Sequence, residues 1–309
     1  MSHRPVRACR LLSGLALVLS LMLAGPVLAQ QPSDGAPDHQ AEIDAAWQAA
    51  EKVAIRGPGT VKLLDQAKLQ VPASEVFIPA AEAGSIMHAY GNSVGDTFVG
   101  LVTGTGDDDQ WMVVVDFIKE GYIKDDDAKT WNADDLLSNI REGTEATNKQ
   151  RAADGYPELD VLGWIEPPTY DAANRRLVWS ASGRIRNAPA DEPQVVNYNT
   201  YALGRDGYFS LNLLTNSGRI EAEKPIARGL LAALGYVPGK RYEDFDGSTD
   251  KVAAYGLAAL VGAVAVKKLG LLAVIGVFVL KVWKLAAVVL LGISAAIRRF
   301  FRRRPSADE

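Results

Sequence analysis

Gln194-Val-Val-Asn-Tyr-Asn-Thr-Tyr-Ala-Leu-Gly204, Arg205-Asp206-Gly207 and Tyr208-Phe-Ser-Leu-Asn-Leu-Leu-Thr215 together decide the fold. Two runs rich in β-branched, aromatic and aliphatic residues flank an Asp-Gly pair, which is a strong two-residue hairpin signal. Taking Asp206-Gly207 as the turn pairs Gly204 with Phe209, Leu203 with Ser210, Ala202 with Leu211, Tyr201 with Asn212 and Thr200 with Leu213. Successive side chains alternate between the two faces of a strand. One face is therefore apolar, and the other carries Asn197, Asn199, Tyr201, Ser210 and Asn212.

The same alternation extends upstream. Leu177, Trp179, Ala181 and Ile185 interleave with Val178, Ser180, Ser182, Arg184 and Arg186, so 158–215 reads as antiparallel sheet. Further out, 97–103 and 111–117 form a hairpin across 104–110, and 60–71 forms a short one around Asp65-Gln66, with a brief strand at 76–78. Helical periodicity marks 41–54, 80–90, 133–153 and 217–234. Asn132 is placed to cap the third of these, with Asp134 and Asp135 favourable in its first turn. The expectation is an α+β fold with a mostly antiparallel sheet and flanking helices.

The chain ends differ from this centre. Arg4, Arg7 and Arg10 precede the apolar stretch 11–23, and Val27-Leu28-Ala29 places small residues where signal peptidase reads, so 1–29 is expected to be a signal peptide cleaved after Ala29. Residues 30–40 form a flexible leader, 41–245 the exported domain, 246–251 a linker, 252–304 a membrane anchor with a basic amphipathic stretch, and 305–309 a tail. The apolar runs 252–266, 269–280 and 285–297 are interrupted by Lys267-Lys268, Lys281 and Lys284. None reaches the roughly 20 residues that span a bilayer unaided. One span within 252–280 followed by a basic helix on the inner surface is favoured, with a two-span hairpin turning near 267–270 as the alternative. Lys281, Lys284, Arg299, Arg302 and Arg303 would then meet the lipid headgroups.

Charge separates along the chain. The whole protein has 309 residues with 33 basic and 37 acidic side chains, but residues 30–250 hold 20 basic against 35 acidic, a net −15. Such a domain repels nucleic acid. The one cysteine, Cys9, lies in the signal region, so the mature chain lacks thiolate chemistry and cysteine-ligated zinc. A histidine-based triad or metal site would depend almost wholly on His88, which sits on a presumed helix as a partly buried residue. No cofactor is called for.

Several patterns invite chemistry and have plainer explanations. Thr103-Gly-Thr-Gly106 precedes a strand and three aspartates, unlike a phosphate-binding loop, and reads as a turn. The runs Asp107–Asp109 and Asp125–Asp127 lack the calcium-loop spacing and read as solvated loops. The carboxylate pairs Asp116/Glu120 and Glu166/Asp171 fit glycosidase-type work only if the fold brings each together. The amide–hydroxyl face of Asn197, Asn199, Tyr201, Ser210 and Asn212, with Trp164 and Tyr170 nearby, has the composition of sugar- and peptide-binding surfaces. Its ordinary alternative is the solvated outer face of an antiparallel sheet.

A series of blocks carries a family resemblance: Val113-Val-Val-Asp-Phe117, Gly121-Tyr-Ile-Lys-Asp-Asp-Asp-Ala128, Trp131-Asn-Ala-Asp-Asp-Leu136, Glu142-Gly-Thr-Glu-Ala146, Gly163-Trp164, Pro168-Thr-Tyr-Asp171, Leu177-Val-Trp-Ser180, Asn197 to Arg205, Tyr242-Glu-Asp-Phe245 and Lys251-Val-Ala-Ala-Tyr-Gly256. Together they resemble an uncharacterised family of bacterial membrane-anchored proteins with a domain of unknown function. The resemblance implies a signal peptide, an extracytoplasmic domain and a C-terminal anchor, and it carries no catalytic residues. The functional expectation is a binding or scaffolding module on the periplasmic side of the bacterial inner membrane, partnered by the bilayer and by an envelope protein or cell-wall material. A carboxylate-dependent hydrolase of envelope polymers, or an accessory subunit acting through its anchor, are the alternatives.

Overall fold

The computed structural model describes residues 39–90, 92–106, 109, 111–153, 157–189 and 191–262. Its elements begin with helix α1 (His39–Glu51), strand β1 (Ile55–Arg56), the hairpin β2 (Gly59–Leu63) and β3 (Ala67–Val71), β4 (Glu75–Pro79) and helix α2 (Ala80–Ala89). Strands β5 (Phe98–Gly104), β6 (Met112–Ile118) and β7 (Tyr122–Lys124) precede helix α3 (Ala133–Ala153). Then come β8 (Leu159–Asp171), β9 (Arg176–Ile185), β10 (Val195–Leu203), β11 (Tyr208–Asn216), helix α4 (Ile220–Ala233), β12 (Leu234–Tyr236) and β13 (Val252–Gly256).

Eight strands form one sheet in the order β1-β4-β5-β6-β11-β10-β9-β8, and β12-β3-β2 form a second. Every pairing within these two sheets is antiparallel; only β13 and β7 run parallel. The α+β architecture with a mostly antiparallel sheet and flanking helices is therefore present. No described helix is long and apolar enough to cross a membrane.

Strand alternation sets what each face of the large sheet buries. Val113, Val115, Val196, Tyr198, Ala202, Phe209, Leu211 and Leu213 pack against the small sheet and α4. Burying one such large side chain is worth about 1.5–3 kcal/mol. The opposite face carries two separate apolar clusters. One joins Leu101, Met112, Val114 and Leu214 to α1 and α2 through Trp47, Ile86 and Met87. The other joins Leu177, Trp179, Ala181 and Tyr201 to Leu136 and Ile140 of α3 and to Leu257–Val261.

One edge is protected at its start. Strand β8 lies at one margin, and α3 supplies side chains to its outer backbone groups. Asn148 donates to the Leu159 carbonyl at 2.7 Å and accepts from its N–H at 2.9 Å. Arg141 donates to the carbonyls of Val161 and Leu162. Asn132 caps α3 as expected, accepting from Asp134 and Asp135 at 2.8 and 3.2 Å. The outer backbone groups at the start of β8 are thus satisfied without inviting another strand.

Two expectations change. The β10–β11 register is Leu203 with Tyr208, Ala202 with Phe209, Tyr201 with Ser210 and Asn199 with Asn212, so the connection is Gly204–Gly207 rather than Asp206-Gly207 alone. The turn backbone is engaged elsewhere: the Arg205 N–H donates to the Lys240 carbonyl and the Asp206 carbonyl accepts from the Gly121 N–H, each at 3.0 Å, so Arg205 does not pair with Tyr208. Tyr236 braces the strands beside this turn. Its hydroxyl accepts from the Phe209 N–H at 3.2 Å and donates to the Ala202 carbonyl at 2.8 Å, capturing groups beside the turn. A Cβ on Gly204 would lie 2.4 Å from the Tyr236 ring, so only glycine fits there. The pairing moves by an even step, and the division of faces survives.

The second change concerns the expected linker and the start of the expected anchor. Val252–Gly256 is strand β13, paired with β7, and Leu257–Leu260 forms a buried 3-10 turn within the domain. Asp127 accepts from the N–H groups of Leu257 and Ala258 at 3.1 and 3.0 Å. Of the apolar opening of 252–266, strand β13 lies partly exposed at the surface and 257–262 are drawn into the protein interior. The expected signal peptide and the remainder of the expected anchor, including Lys281, Lys284, Arg299, Arg302 and Arg303, lie outside the described residues.

Candidate functional site

The polar face of β10–β11 falls between the two apolar clusters. Asn199 and Asn212 are direct cross-strand partners at its centre, with Trp179 beside Asn199 on β9 and Val114 beside Asn212 on β6. Asn197 continues the line toward one end. Tyr201, Ser210 and Asp116 continue it toward the other, Ser210 pairing with both Tyr201 and Asp116. Thr97 donates to Asp116 at 2.9 Å. The result is a stripe of amides, a hydroxyl and a carboxylate running across three central strands.

This stripe is not the solvated outer face that antiparallel sheets ordinarily present. Asn197 and Asn199 are 5% exposed, Tyr201 2%, Asn212 1% and Ser210 fully buried. Asn199 donates to the Asn197 backbone carbonyl at 3.2 Å. Four side-chain atoms have no hydrogen-bond partner: Asn197 Oδ1, Ser210 Oγ, and both Nδ2 and Oδ1 of Asn212. A buried, unpaired polar group costs about 1–3 kcal/mol. The arrangement of these four atoms suits a molecule that both donates and accepts.

The expected aromatic companions divide. Trp164 meets Trp179 edge-on, with ring centroids 6.0 Å apart, so it stands behind the residue that borders Asn199. The Trp179 indole donates to the Leu260 carbonyl at 3.0 Å. Tyr170 lies in a different network, donating to Asp125 at 2.7 Å beside Arg175. Burial pushes the Tyr170 phenol well above its usual range, and the Asp125 carboxylate adds to that. Tyr201 belongs more to the apolar cluster than to an accessible surface: its ring meets Tyr208 at 5.8 Å, and burial raises its phenol well above the ordinary value.

The carboxylate pairs offered by the sequence have separate partners. Asp116 takes Thr97, whereas Glu120 lies 3.7 Å from Lys251. Glu166 accepts from Tyr198 at 2.8 Å and from Arg228, while Asp171 accepts from Ala173 and Asn174 in its own turn. His88 is exposed on α2 rather than partly buried. Among the described residues, no group of three or more His, Cys, Asp or Glu side chains could hold a metal ion.

Within the aspartate runs, Asp109, Asp125 and Asp127 are engaged by the fold, whereas Asp126 is exposed. Asp127 caps the 257–260 turn. Asp125 is desolvated, which works against its charge, yet the bonds from Tyr170 and the charge of Arg175 hold its carboxyl below the ordinary range. Asp109 accepts from the Gly106 N–H at 2.7 Å and from the Trp111 indole at 3.3 Å.

The last of these reveals a pair the sequence conceals. Glu75 on β4 is the cross-strand partner of Gly104, and a Cβ on Gly104 would lie 2.1 Å from an Asp109 carboxylate oxygen. Only glycine lets Asp109 lie there. Glu75 is 6% exposed, with Oε2 unpaired. Burial, reinforced by the charge of Asp109, pushes its carboxyl up to about 7. Separated by 34 positions, the two acids share no motif that would have linked them.

The class defined by this geometry is an α+β domain with a doubly covered, eight-stranded antiparallel sheet and a buried amide–hydroxyl stripe at its centre. The chain belongs to the family described as "Protein of unknown function (DUF2167)", whose model matches residues 55–293. A search of the curated proteins finds no match. Among solved structures, the chain is similar to cyanobacterial PsbP (CyanoP) from Synechocystis sp. PCC 6803. The identity is 9% and the TM-score 0.35, with 60% of this chain and 91% of that chain covered.

Proposed function

We propose that the protein is a membrane-anchored binding module of the bacterial envelope, exported to the periplasmic side of the inner membrane. Its stripe on β10–β11 takes a small polar ligand derived from cell-wall material. The observation that carries this reading is the set of four unpaired, buried polar atoms on Asn197, Ser210 and Asn212. Hydroxyl and amide groups satisfy such atoms, because each can donate and accept. Asn199 and Trp179 border the same ground and would add an amide and an aromatic edge. The net −15 of residues 30–250 argues against anionic polymers as the ligand.

Asn212→Leu provides the test. In the ligand-free protein this replacement removes two unpaired atoms at nearly constant volume, and it should raise stability by about 1–3 kcal/mol. Soluble peptidoglycan disaccharide-peptides should raise the melting temperature of the full-length wild-type protein in detergent and leave Asn212→Leu unmoved. A variant that is less stable than wild type, together with no ligand-induced shift in either protein, would show that enclosed water satisfies the stripe, and the reading would fall.

A further inference from the structure

We infer that Glu75 and Asp109 form a pH-operated latch: a proton on Glu75 lets the Asp109 side chain rest over Gly104, and its loss releases that side chain from the sheet. The inference is independent of the proposed binding reading. The β4–β5 register sets Glu75 directly opposite Gly104, so the two residues share a face of the sheet. Gly104 has no side chain, and the Asp109 carboxylate takes that space, 2.1 Å from where a Cβ would stand. Two acidic side chains thus fill adjacent positions across two strands. Glu75 is 6% exposed, and its Oε2 has no hydrogen-bond partner.

Cations of the neighbouring strands point elsewhere. Arg56 on β1 pairs with Val76, and alternation turns it to the opposite face from Glu75. Lys62 and Lys68 take exposed positions on β2 and β3. The segment 105–110, Thr-Gly-Asp-Asp-Asp-Gln, brings only further acids. Like charges so placed disfavour a second ionisation. Burial, and then the charge of Asp109, accordingly raise the Glu75 carboxyl to about 7. Asp109 is held by two donors, the Gly106 N–H at 2.7 Å and the Trp111 indole at 3.3 Å. The backbone on either side is fixed by neutral groups. Thr105 donates through its N–H and its hydroxyl to the Ser74 carbonyl at 3.0 and 3.1 Å, and Thr103 donates to the Trp111 carbonyl at 3.1 Å. The Asp109 side chain and its two donors therefore have the freedom to change while the strands stay paired. Once Asp109 leaves and water reaches Glu75, the carboxyl returns toward 4.5. The seated form is thus favoured most below about pH 4.5, weakens as pH rises through the interval, and weakens no further above about 7.

The Trp111 indole reports the latch. Full-length protein in detergent, labelled with nitrogen-15 tryptophan, gives an indole N–H resonance for Trp111 that Trp111→Phe identifies by its loss. In wild type this resonance should titrate between about pH 4.5 and 7. In Glu75→Gln, whose amide does not ionise, it should stay constant over the same range. Amide hydrogen exchange provides the second reading. Corrected for intrinsic rates, exchange in peptides covering 104–112 should quicken about tenfold for each pKa unit that opening relieves. That acceleration should exceed any change at 195–216, in the paired strands of the sheet centre.

A Trp111 resonance that holds constant in wild type, or that titrates equally in Glu75→Gln, would overturn the latch. Exchange at 104–112 that quickens no more than at 195–216 would overturn it also, because Glu75 would then act on global stability alone. The exchange comparison uses wild-type protein only, so the proposal is decided even if a variant fails to fold.

Discussion

Replacing Glu75 with glutamine should stabilise the protein at alkaline pH and leave it unchanged in acid. Glu75 lies almost wholly buried at the end of β4, with the Asp109 carboxylate held over neighbouring Gly104. Burial and that like charge raise its carboxyl from 4.5 to about 7. The native state therefore keeps the Glu75 proton over a range in which the unfolded chain has lost it. Stability contributed by this group is complete below about pH 4.5, declines as pH rises through the interval, and is gone above about 7.

At 1.36 kcal/mol for each pH unit the displacement amounts to roughly 3 kcal/mol, which partial solvent screening at the sheet end reduces to about 2 kcal/mol. Glutamine retains the shape and one acceptor and cannot ionise. Glu75→Gln should melt about 4–8 °C above wild type at pH 8, given the size of the domain, and coincide with it near pH 4. Differential scanning calorimetry of the full-length protein across pH 4–8 reads this directly. A stability difference that does not vary with pH, or a variant less stable than wild type at pH 8, would refute the electrostatic account.

Two further outcomes follow from the packing. Asn148→Leu leaves both the N–H and the carbonyl of Leu159 without their side-chain partner and should cost about 2–4 kcal/mol, measured by urea denaturation. Asp127→Ala removes the acceptor for Leu257 and Ala258, a loss of about 1–2 kcal/mol by analogy with helix caps, and hydrogen exchange should quicken at 257–261 while β10 stays protected.

Local pattern determined a large part of this protein. Strand period, helix period, the Asn132 cap and the Asp65-Gln66 turn are encoded within a few residues of one another. The four helices and the main hairpins were accordingly legible along the chain. The two faces of β10 and β11 were legible as well, because alternation is a property of the strand alone. The composition of the candidate site, Asn197, Asn199, Ser210 and Asn212, came from the same source.

Tertiary structure decided what distance along the chain conceals. The β10–β11 register turned on Gly121 and Lys240, whose backbone groups hold the Asp206 carbonyl and the Arg205 N–H away from a two-residue turn. Whether the amide face met water or the interior turned on the packing of α1, α2 and α3, elements drawn from both sides of the sequence. The apolar residues 252–262 read as the start of a membrane segment. Hydropathy has no means of distinguishing lipid from the space beneath α3, where the Asp127 carboxylate receives Leu257 and Ala258. Glu75 and Asp109 became neighbours only through the pairing of β4 with β5. Periodicity reports which way a side chain points; long-range contact alone determines its solvent, its partners and its charge.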